Sequence, residues 1–104
     1  MSVISIYAIF ADADEAERIG RAMVEERLAA CINILGPVRS IYRWKGAVEA
    51  ADEVAAIFKT TDERAGLLIT RIGALHSYDV PCVVAWPIGK VLGDYADWVE
   101  DSLG

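Results

Sequence analysis

Four side chains that can do chemistry lie within seven consecutive positions in the C-terminal half of the chain. His76 is the only histidine, and Tyr78, Asp79 and Cys82 follow it closely. Imidazole, carboxylate and thiolate groups bind transition metals and also act as acids, bases and nucleophiles. A stable transition-metal site usually has three or four donors, so His76 needs partners to form one. The segment is therefore a candidate metal or ligand site that is incomplete by itself.

Each of these side chains also suits a purely structural role. His76 would end a helix, where a protonated imidazole interacts favourably with the helix dipole. Asp79 would form a turn before a strand, and the ring of Tyr78 would pack on the helix. Cys82 opens an apolar run, which favours burial as a small hydrophobic residue. The residue types alone leave both interpretations open.

The composition narrows the possible functions. The 104 residues suit one domain, spanning 1–104, and 55% of them are hydrophobic. The net charge of −6 argues against nucleic-acid binding, which needs a basic surface. No apolar run is long enough to cross a membrane, and the start MSVISIYAIF lacks the basic residues of a signal peptide. We therefore expect a cytoplasmic protein with neither nucleic-acid nor membrane partners.

Known catalytic patterns are not found in the sequence. It has one histidine, no glycine-rich phosphate loop and no nucleophile elbow. The two cysteines, Cys31 and Cys82, have no CxxC spacing, so they predict neither a zinc knuckle nor a redox pair. We expect both to be buried and unbridged. The chain is predicted to be a binding protein and not an enzyme.

The periodicity of apolar residues predicts the first elements. Residues from Ser2 to Phe10 alternate as a strand, with one wholly apolar face that should meet helices. A helix is predicted from Ala13 to Leu28, with Asp12 as its N-cap. A long strand then follows that bends at a Gly-Pro pair and returns through a Lys-Gly turn, at positions 36–37 and 45–46.

The second half of the chain repeats the pattern. A Thr-x-x-Glu capping box at Thr60 precedes a clearly amphipathic helix. Residues 82–86 then predict a buried strand between two prolines. A short helix capped by Asp94 follows, with Tyr95 and Trp98 on its apolar face. The order β-α-β-β-α-β plus a terminal helix predicts an α+β, ferredoxin-like fold with an antiparallel sheet.

One face of that sheet is left without helices. By alternation it carries Tyr7, Ile9 and Ile57, which are too apolar for water. The terminal helix is too short to cover a whole sheet. The sequence therefore predicts an oligomer or a bound partner on this face.

Several stretches together resemble the CutA divalent-cation tolerance family. They are ERLAACINILGPVRSIYRWKGAV, DEVAAIFKTT, LHSYDVPCVVAWPI and YADWVEDSL, and they cover nearly the whole chain in order. The resemblance implies a tight homotrimer of ferredoxin-like subunits, similar in shape to the PII signalling proteins. It also implies a role in tolerance to copper and other divalent cations.

The same resemblance bears on the metal site. Copper ligands proposed for some family members are a cysteine at the end of the first strand and two adjacent histidines. Phe10 and Leu75 stand at two of those positions here, and only His76 remains as a metal-ligand candidate. Cys82 replaces a residue that is usually acidic in the family. The candidates for an intersubunit cleft are Lys59, His76, Tyr78, Asp79, Tyr42 and Trp44.

Two functions follow from these considerations. The first is a trimeric, non-enzymatic cation-tolerance protein that binds copper, another divalent cation or a small ligand at subunit clefts. The alternative is a PII-like sensor of a small anionic metabolite with no metal role. The basic, aromatic hairpin tip around Tyr42 and Trp44 favours packing between subunits over binding of single-stranded nucleic acid, because the whole chain is acidic.

Overall fold

The structure, a computed structural model, describes residues 2–104. Its elements are β1 (Val3–Phe10), α1 (Ala13–Glu25), β2 (Cys31–Trp44), β3 (Ala47–Thr61), α2 (Asp62–Leu75), β4 (Val83–Pro87) and α3 (Gly93–Leu103). The strands form one antiparallel sheet in the order β2-β3-β1-β4. The predicted ferredoxin-like α+β fold is thereby confirmed.

The alternation of β1 divides the sheet into two different faces. Its even-numbered side chains, Ile4 to Phe10, are buried under α1 and α2 with Phe58 of β3. We call this side the inner face and the opposite side the outer face. Tyr7 and Ile9 lie on the outer face and are half-buried, as is Ile57. The inner face is a closed core, whereas the outer face stays partly open.

Helix α1 begins as predicted and ends earlier. The side chain of Asp12 accepts a hydrogen bond from the backbone N–H of Glu15 at 2.8 Å, which caps the first turn. The helix stops at Glu25 and not at Leu28, because Arg27 adopts a φ of 60° and turns the chain. The backbone N–H of Leu28 then bonds back to the carbonyl of Met23 at 3.0 Å.

The Gly-Pro pair bends β2 as predicted, and the bend begins a projecting arm. The register shifts between Ile34 and Gly36, where Gly36 has a φ of 114° that favours glycine. The last pair of β1 and β3 is Phe10 with Val54, so β2 and β3 continue beyond it as two strands alone. We call residues 38–53 the arm. The molecule is correspondingly long, with extents of 45 × 26 × 22 Å.

Two predicted helix caps are wrong. Strand β3 runs on to Thr61, and the hydroxyl of Thr60 donates to the carbonyl of Leu28 at 2.7 Å instead of capping α2. Thr61 occupies the N-cap position without a side-chain bond. Helix α3 begins at Gly93, so Asp94 lies inside its first turn. The sequence pattern assigned the Thr60 hydroxyl to the helix, but this hydroxyl bonds instead to a backbone carbonyl 32 positions away in the chain.

The prediction of a buried fourth strand is also wrong for the single chain. β4 spans Val83–Pro87, and every residue of this strand after Val83 is exposed. Cys82 is exposed and Cys31 is half-buried, and neither is bridged. The two cysteines lie at opposite edges of the sheet, which agrees with the expectation that they are not bridged. β4 is apolar, but it is an edge strand, and no other element within residues 2–104 packs over its side chains on the outer face.

Helix α3 covers one end of the outer face only. Val99 and Leu103 pack on Val3 and Ala30 in a small second cluster. The remainder of the outer face keeps Trp86 at 47% and Val84 at 42% exposure. Among residues 2–104, no helix has the length and apolar character required to cross a bilayer.

Gly20 of α1 packs tightly against the side chain of Ile32 in β2. A Cβ added there would lie 2.6 Å and 2.9 Å from two side-chain carbons of Ile32. We expect Gly20→Ala to lower the free energy of unfolding by about 1 kcal/mol, because overpacking outweighs the gain in helix propensity. Thermal and urea unfolding measure the change. The same substitution in an Ile32→Ala background should cost nothing.

Gly66 provides the matched control in α2. Apart from the neighbouring backbone of α2 itself, no heavy atom of residues 2–104 lies within 4 Å of a Cβ added at Gly66. Gly66→Ala should therefore raise the free energy of unfolding by about 0.5–1 kcal/mol. If both alanine variants stabilise the protein, the contact between Gly20 and Ile32 does not constrain the packing.

Candidate functional site

The candidate site is the segment 76–82, which crosses the end of β1 from the helix layer to the outer face. We call this segment the crossing loop. It begins at His76, the C-cap of α2, and ends at Cys82, whose carbonyl accepts from the N–H of Ile9 at 3.1 Å. The loop thus connects groups on both faces of the sheet.

His76 is anchored beneath the loop by both of its ring nitrogens. Its side chain is 0% exposed. Nε2 lies 2.7 Å from the carbonyl oxygen of Ile9, and Nδ1 accepts the backbone N–H of Tyr78 at 3.0 Å. The ring stacks on Phe10 with centroids 5.3 Å apart and an interplanar angle of 13°. These bonds require the neutral tautomer with its proton on Nε2. A metal ion at either nitrogen would displace one of them.

Glu15 holds the other side of this anchor. Its side chain is only 5% exposed, and it accepts the N–H of Ala11 at 3.0 Å and of Ser77 at 2.9 Å. Burial acts to raise the pKa of Glu15, but hydrogen bonds from Ala11 and Ser77 outweigh it, so the pKa lies below its usual value. Nε2 of His76 lies 3.8 Å from the carboxylate.

Tyr78 reaches over to the outer face. Its hydroxyl donates to Glu53 of β3 at 2.7 Å, and Glu53 is itself buried at 8% exposure. Burial and the bond to Glu53 raise the pKa of Tyr78 above its usual range, so the phenol remains a neutral donor. Burial, with a smaller contribution from Glu53, also raises the pKa of the Cys82 thiol.

Of the remaining cleft candidates, Tyr42 is close enough to Tyr78 to contribute to its raised pKa, whereas Lys59 lies apart in the single chain. Asp79 is exposed in the crossing loop, and Tyr42 and Trp44 lie in the arm. Lys59 sits between Ser5 and Cys31 on the outer face. It is six positions from Glu53 along β3, or roughly 20 Å. The structure therefore brings His76 and Tyr78 together, with ring centroids 4.8 Å apart, and leaves Lys59 distant.

Two glutamates of the site were missed from the sequence. The pattern Asp-x-x-Glu at Asp12 and Glu15 resembles a capping box, and this signal could have identified Glu15. Glu53 was expected only on the polar side of β3, and no local pattern marks it as the partner of Tyr78. Within residues 2–104, no three side chains of His, Cys, Asp or Glu are grouped closely enough to hold a metal ion.

The strand order and the helices on one face of the sheet define a ferredoxin-like α+β protein. The profile described as CutA1 divalent ion tolerance protein matches residues 4–102. The divalent-cation tolerance protein CutA of Archaeoglobus fulgidus is 40% identical over 98 residues, covering 94% of this chain and 95% of that protein. The chain belongs to the CutA1 divalent ion tolerance family.

Solved structures agree with this assignment. CutA from Xylella fastidiosa superposes with a TM-score of 0.96 at 35% identity, and the match covers 100% of both chains. The Archaeoglobus fulgidus protein, described as periplasmic, superposes with a TM-score of 0.94 at 38% identity, covering 98% of this chain and 99% of that one. The resemblance predicted from sequence motifs is confirmed.

The bond between Tyr78 and Glu53 can be tested directly. Tyr78→Phe leaves the buried Glu53 carboxylate without this donor, so we expect the free energy of unfolding to fall by about 1–2 kcal/mol. Thermal unfolding at fixed protein concentration measures the loss. Tyr42→Phe is the control, because Tyr42 is 39% exposed and lies in the arm. Equal effects of the two substitutions would contradict the role of this hydrogen bond.

Proposed function

We propose that the chain acts in divalent-cation tolerance as a homotrimer that binds copper, another divalent cation or a small ligand at clefts between subunits. The observation that carries the proposal is the open outer face. Trp86 stacks on Tyr7 with centroids 4.8 Å apart, yet remains 47% exposed. Such a surface is costly in water, at about 25 cal/mol per Å² of apolar area.

The arm supports association for a second reason. It is a two-stranded hairpin without a third strand, and such hairpins are marginally stable alone. Ile41 is 74% exposed and Val48 is 65% exposed along it. The two edge strands of the sheet, β2 and β4, also have unpaired backbone N–H and C=O groups along their free sides. A cyclic arrangement lets each arm pack on a neighbour and closes all the open faces around one axis.

Sedimentation equilibrium tests the trimer. We expect a mass near three times the 11.3 kDa of one chain, unchanged on dilution to nanomolar concentration, because large apolar faces are buried. A double substitution in the arm, Ile41→Asp with Val48→Asp, should shift the mass towards the monomer. Leu67→Asp is a matched control, since Leu67 is 63% exposed on α2. A wild-type monomer would contradict the proposal.

In this proposal the ligand cleft lies where a neighbouring subunit meets the crossing loop and the arm, which are already close to each other within one chain. The loop and the arm both start at the end of β1, and Tyr42 of the arm contributes to the raised pKa of Tyr78. Exposed Asp79 offers a carboxylate there, and Lys59 can join only from a second chain. A complete set of metal donors would likewise need more than one subunit, since residues 2–104 of one chain provide no group of three.

Isothermal titration calorimetry tests the ligand class. We expect heat on addition of copper(II) or zinc(II) and none with nucleotides, and Asp79→Asn should weaken cation binding several-fold. Asp62→Asn, an exposed carboxylate in the first turn of α2, is the control. Binding by wild type and Asp79→Asn with equal affinity would place the cation elsewhere.

The alternative is a PII-like sensor of a small anionic metabolite. Lys59 favours it, because it is a half-buried cation outside the ion pairs found among residues 2–104. Heat with nucleotides or other anions, and none with metal ions, would support this function. Loss of that heat in Lys59→Ala would locate the anion.

His76→Ala separates two roles of the imidazole. If the ring is a copper ligand, the variant loses affinity while the Tyr78 amide stays protected from exchange. We expect the larger effect of the substitution on the Tyr78 amide and the smaller effect on copper affinity. The amide should lose protection from exchange, since the ring accepts its N–H at 3.0 Å. We also propose that the protein binds without catalysis and acts in the cytoplasm, where free thiols such as Cys31 and Cys82 persist.

A further inference from the structure

One carboxylate joins the two loops that meet at the end of β1. Glu15 belongs to α1, yet its two oxygens accept from Ala11, before α1, and from Ser77, in the crossing loop. The two donors are 66 positions apart in the chain, so Glu15 closes a long-range contact. The bond from Tyr78 to Glu53 lies one residue beyond Ser77.

The contact depends on the charge of Glu15. An ionised carboxylate has acceptors only, so both oxygens can receive an N–H. A protonated carboxyl or a carboxamide carries a donor on one side. That donor would face the N–H of Ala11 or Ser77, and one of the two bonds would be lost.

We propose that Glu15 is a positioning residue, whose ionised carboxylate latches the crossing loop and thereby keeps Tyr78 on Glu53. The loop borders the cleft of the proposed function, so the importance of the latch for ligand binding rests on that function. Removing the charge opens residues 76–79 while the core of the sheet stays closed. The core does not depend on the latch, because its side chains pack under α1 and α2.

The surroundings of Glu15 determine the sign of its pH dependence. Arg18 on the same helix lies 3.9 Å away, His76 of the crossing loop lies 3.8 Å away, and Asp12 caps the backbone N–H of Glu15. Tyr78 is near enough for Glu15 to raise its pKa. The pKa of Glu15 lies below its usual value of 4.5, so the latch is complete above pH 4.5 and is lost as the pH falls through the lowered pKa.

Hydrogen exchange followed by NMR tests the latch on the full chain without added metal or ligand. In Glu15→Gln, the amides of Ser77 and Tyr78 should exchange about tenfold faster, the effect of one lost hydrogen bond. The amides of Ile6 and Phe58 should keep their protection. Glu17→Gln is the matched control, because Glu17 is 68% exposed and pairs with Arg21 at 3.8 Å.

A spectroscopic signature accompanies the exchange. Absorbance titration of the phenols, with Tyr78→Phe as the difference reference, should show the Tyr78 pKa moving down towards its usual value in Glu15→Gln. Loss of the Glu15 charge lowers this pKa even if the loop stays closed, so the exchange rates of Ser77 and Ile6 decide whether the loop opens. Unchanged exchange at Ser77, or equal acceleration at Ser77 and Ile6, would overturn the proposal.

Wild-type protein provides a second measurement that does not depend on the variant folding. Below pH 4.5 the opening of Ser77, corrected for intrinsic exchange, should increase more than that of Ile6. Parallel behaviour of the two amides would overturn the latch. Since no ligand is used, this result is independent of the calorimetry, and either proposal can fail alone.

Discussion

The backbone N–H and C=O groups at the end of strand β1 are partly buried, and side chains from other elements form hydrogen bonds with them. The carbonyl of Ile9 accepts a hydrogen bond from Nε2–H of His76, and the N–H of Ala11 donates to the carboxylate of Glu15. Unpaired backbone groups at this depth would cost free energy comparable to a lost hydrogen bond each. The side chains that satisfy them come from α1 and from the C-cap of α2. The crossing loop therefore takes its path from the need to complete the end of a strand.

The two faces of the sheet separate folding from association. The inner face forms a core that is complete in one chain, with Ile6, Phe10 and Phe58 at 0% exposure. The outer face has only α3 at one end, where Val99 and Leu103 are buried. The arm continues beyond the end of β1 and also has apolar side chains that the single chain leaves exposed. The sequence thus specifies a chain with a complete core on the inner face and a partly open outer face.

The sequence predicted features that depend on local periodicity and missed those that depend on distant partners. The alternation of β1 revealed both faces because a strand repeats every two residues. The turn at Lys45 and Gly46 was predicted because glycine readily takes a positive φ, and Gly46 has a φ of 83°. Lys45 also has a positive φ, of 49°. The partner of the Thr60 hydroxyl is a backbone carbonyl at Leu28, which no sequence pattern marks. The apolar run of β4 did not reveal its exposure, because an edge strand that needs a partner reads like a buried one.

The position of Phe10 explains how the site differs from the ligand set implied by the family resemblance. That set has a cysteine at the end of the first strand, and here an aromatic ring takes its place and stacks on His76. The stack and the two bonds of the imidazole turn His76 into an internal support, facing away from water. Groups available to a ligand are then those carried past this support, namely Tyr78, Asp79 and Cys82. Under the proposed function, divalent-cation binding would accordingly depend on the outer end of the crossing loop and on donors from a neighbouring subunit.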